Sequence, residues 1–242
     1  MQTGFSDFKA AFILNFIEDN RWLFLAKGLC VTLMVTAFAL MLGVVIGVIA
    51  AMIRSGYDQT REELRPGLGK TLFGLANALV KVYITVIRGT PVVLQLLIGY
   101  FIVFISSTNT VMVASLVFGI NSGAYITEII RSGIMSIDPG QFEAGRSLGF
   151  TYVDTMRFII IPQALRTVLP TLANEFIALL KETAVCGYIG LMDLTKAGDI
   201  IRGRTFSAFM PLLAVALIYL LLVMLFSHLT AMLERRLRSS VQ

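Results

Sequence analysis

Apolar residues run along this chain in stretches long enough to cross a bilayer. Gly28 to Ile53 holds no charged residue in 26 positions, Thr205 to Leu233 none in 29, and Gly89 to Thr127 none in 39. About 20 residues suffice for one helical crossing. The longest run therefore predicts two spans, parted by the polar turn Ser106–Thr110. A more polar span is predicted over about Val168–Met192, carrying Glu175, Lys181 and Glu182. The segment Thr71–Ile87 is apolar around Lys81 and reads as a helix lying partly along the inner interface. The next span then begins near Pro91, a residue suited to a first helical turn. The first twenty residues lack a basic start followed by an apolar run, so they do not read as a cleavable leader. With Phe5, Phe8, Phe12 and Phe16 on related faces, residues 1–21 read as an amphipathic interfacial segment. Residues 22–242 make up the membrane domain.

Composition agrees: 57% of residues are hydrophobic and 14% charged, against roughly a quarter charged in soluble domains. The net charge of +5 is explained by orientation rather than by a nucleic acid partner. With the loop after the first span placed inside, thirteen of the twenty Lys and Arg residues face the cytoplasm, Arg54, Arg65, Arg88, Arg131 and Arg238 among them. Six face outward, and Lys181 lies within a span. Basic residues accumulate in cytoplasmic loops. The N-terminus is therefore expected outside and the C-terminus inside a cytoplasmic membrane crossed several times.

Catalytic chemistry is not evident. The stretch "RPGLGKT" at Arg65–Thr71 ends like a phosphate-binding loop, but Leu64 stands where that loop needs its first glycine. A charged loop precedes it rather than a strand. His228 is the sole histidine, and no His, Cys or acidic cluster has metal-ligand spacing. Cys30 and Cys186 sit in apolar stretches and read as packing residues. Two pairs of glycines four apart, Gly43 with Gly47 and Gly119 with Gly123, suit close helix packing.

The polar interruption Glu143–Pro170 falls on the inner side. Asp138-Pro139 is a helix-start signal, and Gly149 can end that helix with positive φ. Thr151, with Asp154 three residues on, suits the N-cap of a second helix. Pro162 is expected to break or kink that helix, and Pro170 to open the following span. A short amphipathic helix held out between two spans has the form of a docking knob.

These residues resemble the permease subunits of ATP-binding-cassette importers. Those proteins carry a cytoplasmic Glu-Ala-Ala motif, a glycine four residues beyond its second alanine, then Ile-x-Leu-Pro. Glu143, Ala144, Gly149, Ile159, Ile161 and Pro162 fall at the matching offsets. Gly145 replaces the second alanine and Ile161 the leucine. The segments Val86–Phe101, Ser122–Ile137 and Asn174–Ala184 are similar to the polar amino acid subgroup of these permeases. The resemblance implies an all-α integral membrane protein of about five transmembrane helices, with the type I importer permease architecture and a coupling loop at about 132–167. It implies a second permease subunit, alike or different, and cytoplasmic ATPase subunits that carry ATP and Mg. An extracellular substrate-binding protein and a polar amino acid complete the set; this chain itself holds no cofactor. Glu143, Ala144, Gly145, Arg146, Gly149 and Pro162 are then the candidates for coupling to the ATPase.

Ionisable and polar groups inside spans are functional candidates by default. On the polar span, Asn174 and Lys181 lie seven apart on one face, with Glu175 beside them. Glu175 suits an ammonium or a cationic side chain, and Asn174, Thr90 and Gln95 offer hydrogen bonds. Asn121, Ser122 and Tyr125 line the path or bridge helices. Lys181 with Glu182 equally suits a structural pair near a span end. The competing reading is a self-sufficient secondary transporter or channel, which predicts inverted repeats; none is evident.

Overall fold

The computed structural model describes residues 3–61 and 66–239, and side chains from residue 7 to 237 within them. Leu64 and Arg65, and the side chains of Phe5 and Arg238, thus lie outside the described residues. Every regular element described is helical: α1 (Thr3–Phe12), α2 (Trp22–Thr60), α3 (Leu68–Arg88), α4 (Val92–Ile98), α5 (Thr110–Met135), α6 (Pro139–Ser147), α7 (Tyr152–Thr155), α8 (Ile161–Glu182), α9 (Leu194–Thr205) and α10 (Phe209–Ser239). Wide π turns extend α4 through Val103 and join α7 to α8.

Four described helices are long and apolar enough to cross a membrane: α2, α3, α5 and α10. The turn at Ser106–Thr110 falls where expected, because α5 starts at Thr110. Two expectations change. Length and composition select α3 itself as a span, while Val92–Val103 is a short apolar helix. Leu72, Leu75, Leu79, Val82 and Val86 form an exposed apolar stripe on α3, which also carries Lys70, Lys81 and Arg88. The polar helix α8 starts at Ile161, so Pro170 lies inside it rather than opening it.

The chain divides into two compact units. One comprises residues 1–39, 92–118 and 177–226. Its core joins Phe16, Leu25, Leu194, Ala197, Ile201, Met210 and Val215. Asn15 is buried and accepts a hydrogen bond from the Thr205 hydroxyl at 2.8 Å. Phe8 and Phe12 are exposed, whereas Phe16, expected on a related face, is buried in this core. Asp193 caps α9 by accepting from the Thr195 and Lys196 amides, and Thr32 accepts the next amide, that of Leu194, at 3.1 Å. Burial pushes the Asp193 carboxyl up, against those amide bonds. Cys186 is buried as a packing residue, whereas Cys30 is exposed.

The other unit comprises residues 40–91, 119–176 and 227–242. Here the two glycine pairs face one another. A methyl built on Gly43 would lie 3.1 Å from Ser122 Cβ, and one on Gly47 2.7 Å from Ile126 Cβ. In return Gly119 meets Leu42 and Gly123 meets Ile46. Missing side chains let α2 and α5 approach until backbone meets side chain, which is how helices associate where lipid supplies no hydrophobic drive. Helix α3 runs antiparallel to the end of α2. Tyr57 packs edge-on against Phe73 and Arg54 reaches Asn77 at 3.5 Å. The Tyr83 hydroxyl donates to the Ile120 carbonyl at 2.5 Å.

Candidate functional site

The segment between α5 and α8 is built as its residues direct. The Asp138 side chain accepts from the Gly140 amide with Pro139 in the first turn. A carboxylate satisfies an otherwise orphaned amide there. Gly149 has φ 79°, and the Phe150 amide returns to the Gly145 carbonyl at 3.0 Å, closing the helix end. Thr151 then caps α7, accepting from the Asp154 amide at 3.2 Å. Ile134, Ile160 and Ala164 are buried beneath, with Phe142 of α6 against them. Burying one such isoleucine contributes about 2 kcal/mol, so α6 is pinned to the ends of α5 and α8.

Of the six residues expected to couple, Glu143, Ala144, Arg146 and Gly149 are exposed and Gly145 is buried against Thr155. Leu148 projects with 72% of its surface exposed. Beside the helix lies a cavity of about 390 Å³ lined by Gln59, Pro139, Phe142, Glu143, Arg146 and Tyr152. Burial raises the Tyr152 hydroxyl above its ordinary pKa. Pro162 does not break the chain's helical course. The π turn Met156–Ile160 precedes it with helical dihedrals at both ends. Widening the hydrogen-bond ring there accommodates a residue that has no N–H and crowds the carbonyl four positions back.

The solute candidates fall into two groups. Thr90, Asn121, Tyr125, Asn174 and Glu175 belong to the second unit, Gln95 and Lys181 to the first. Ser122 donates to Glu175 Oε1 at 3.0 Å, joining α5 to α8. Asn121 is buried beside it in sequence, while Asn174 is exposed. Tyr125 lies under Arg88, whose guanidinium sits 5.3 Å from the ring centroid. Thr90, just past the end of α3, donates to the Val86 carbonyl of that helix, 2.9 Å away. In the first unit Gln95 is half-buried and Lys181 exposed.

Sequence reasoning missed the charged chain beside these residues. Arg88 approaches Glu128 at 4.0 Å, Glu128 meets Arg131 at 3.7 Å, and Arg131 meets Asp58 at 3.4 Å. Glu128 and Arg131 are three apart on one helix, the spacing of an intrahelical pair. That signal was readable; the approach of Arg88 and Asp58 from other helices was not.

Residues 68–239 match the family model described as binding-protein-dependent transport system inner membrane component. The glutamine transport system permease protein GlnP of Escherichia coli (strain K12) is 36% identical over 226 residues, covering 88% of this chain and 93% of that protein. Among solved structures, a chain of an amino acid ABC transporter crystallised with histidines superposes with a TM-score of 0.77 at 39% identity, covering 88% of this chain and 94% of its own. An inward-facing MetNI methionine ABC transporter chain gives 0.75 at 21% identity, covering 91% and 98%, and speaks for the fold alone. The chain therefore belongs to the family of inner-membrane components of binding-protein-dependent transport systems, the permease subunits of ATP-binding-cassette importers.

Proposed function

We propose that this permease carries a polar amino acid inward, powered by separate ATPase subunits that grip the α6 segment. The observation that carries the reading is similarity to a glutamine permease over nearly the whole of both chains. Glu175, held by Ser122, is the acidic group suited to the solute's ammonium. An ionisable residue in such a helix faces a cavity or partner rather than lipid.

Coupling follows from rigidity. The exposed Glu143, Arg146 and Leu148 offer a salt-bridging and apolar surface to an ATPase cleft. Buried Gly145 and the Ile134–Ile160–Ala164 core tie that surface to α5 and α8. Closure of the ATPase pair about ATP and Mg displaces α6, and the displacement passes to the helices that carry Ser122 and Glu175. Switching of this kind is a rigid-body change biased by a ligand. A binding protein outside and a second permease, alike or different, complete the importer.

In this reading the chain holds no nucleotide of its own. Gly67 stands at the N-cap of α3, and Leu64 occupies the sequence position of the loop's first glycine. The orientation N-terminus out, C-terminus in treats Leu68–Val103 as one crossing interrupted at Gly89–Pro91. That arrangement puts Lys81 and Arg88 within the crossing and leaves eleven inward basic residues against six outward. A self-sufficient transporter is not favoured, because the family works with a binding protein.

The test is amino acid uptake into proteoliposomes by the complex assembled with its ATPase and binding protein. ATP-dependent accumulation of L-glutamine or another polar amino acid is expected. Accumulation without ATPase, or none for any amino acid, would reject the proposal.

A further inference from the structure

A second polar cavity lies farther along α5 and α8 than the Ser122–Glu175 contact. It has a volume of about 260 Å³, and its wall includes Arg88, Tyr125, Glu128, Ser132, Thr167 and Thr171. From Ser122 to Glu128 is six residues, about 9 Å of helix, and from Glu175 back to Thr171 is four, about 6 Å. Both steps lead toward α6, and Glu128 lies about 120° round α5 from Ser122, so the second place is farther along the helix pair and turned from the first. The helices stay close at this end because Gly133 admits Val168 against its backbone.

Arg88 and Glu128 stand 4.0 Å apart with 43% and 31% of their side chains exposed. That separation is the outer edge of an ion pair, and such half-exposed pairs contribute little to stability. Glu128 is steadied from its other side by Arg131, and Arg131 by Asp58. Two cations and two anions then balance, so a zwitterion enters without adding net charge. A guanidinium matches a carboxylate in two parallel hydrogen bonds. The surrounding wall of hydroxyls suits a polar side chain.

We propose that Arg88 and Glu128 form a second amino acid site on the inward path, Arg88 taking the α-carboxylate and Glu128 the α-ammonium. This rests on the amino acid reading above and gives it a second station between Glu175 and the coupling helix. The neighbouring cavity, lined by Arg54, Lys81, Arg88, Glu128 and Arg131, makes a simple anion the competing occupant.

The test measures equilibrium binding to the purified permease–ATPase complex without its binding protein. Three probes are used: L-glutamine, its α-carboxamide, and its des-amino analogue 4-carbamoylbutanoate. Arg88→Gln is expected to weaken L-glutamine at least tenfold and leave the α-carboxamide unchanged, while Arg88→Lys restores part of the loss. Glu128→Gln is expected to weaken L-glutamine and the α-carboxamide alike and to spare the des-amino analogue. Equal losses for all three probes, or no L-glutamine binding by the parent complex, overturn the proposal. So does a des-amino analogue that binds the parent as tightly as L-glutamine, which identifies an anion site. The amino acid reading is judged separately by uptake, which the parent complex can pass while this site fails.

Discussion

Gly145 of α6 and Thr155 of α7 meet so closely that a single methyl does not fit between them. A Cβ at Gly145 would lie 2.7 Å from Thr155 Oγ1, 2.8 Å from its Cγ2 and 3.2 Å from its Cβ. Rotating the threonine cannot clear all three atoms. The glycine that departs from the family's alanine is thus matched to the threonine across from it.

Gly145→Ala is expected to destabilise the segment by about 1–3 kcal/mol, the range for overpacking. Thr155 Oγ1 is buried and makes no hydrogen bond, so Thr155→Ala loses none. The double variant should recover most of the loss. Thermal unfolding of the complex in detergent, read as a double-mutant cycle, checks this; additive losses would refute the pairing.

Reversing the charge of Glu143 addresses coupling without touching the core, because that side chain is exposed. Glu143→Arg is expected to abolish ATP hydrolysis stimulated by the loaded binding protein while membrane insertion persists. Full stimulated hydrolysis in proteoliposomes would remove Glu143 from the contact.

Glu175→Gln retains an acceptor for Ser122 and removes the charge. Uptake is expected to fall more than tenfold with an altered preference among cationic and neutral amino acids. Ser122→Ala, which frees one carboxylate oxygen, should cost several-fold and keep the preference. Unchanged affinity and selectivity in Glu175→Gln would take the residue off the solute path.

Gly47 sits where a Cβ would meet Ile126 Cβ at 2.7 Å. Gly47→Ala should lower the thermal midpoint through about 1–3 kcal/mol of overpacking. Adding Ile126→Ala should return part of it. If Gly47→Ala alone leaves the midpoint unchanged, α2 and α5 do not rely on this approach.

Much of the molecule was readable from the chain because its causes are local. Charge-free runs mark where helices can live in lipid, and Asp138, Gly149 and Thr151 act on amides within three or four residues of themselves. The offsets from Glu143 to Pro162 carried the family for the same reason. Tertiary structure decided what depends on distant residues. The bounds of α3 give it the length and composition of a span despite Lys81. Pro162 and Pro170 looked like boundaries, yet the π turn and the packing of α8 carry the helix through both. The glycine pairs announced close packing, but only the fold set Gly43 and Gly47 against Ser122 and Ile126. The chain Arg88–Glu128–Arg131–Asp58 draws on three helices. Local geometry follows from neighbours in sequence, whereas a charged cavity exists only where separate helices bring their side chains together.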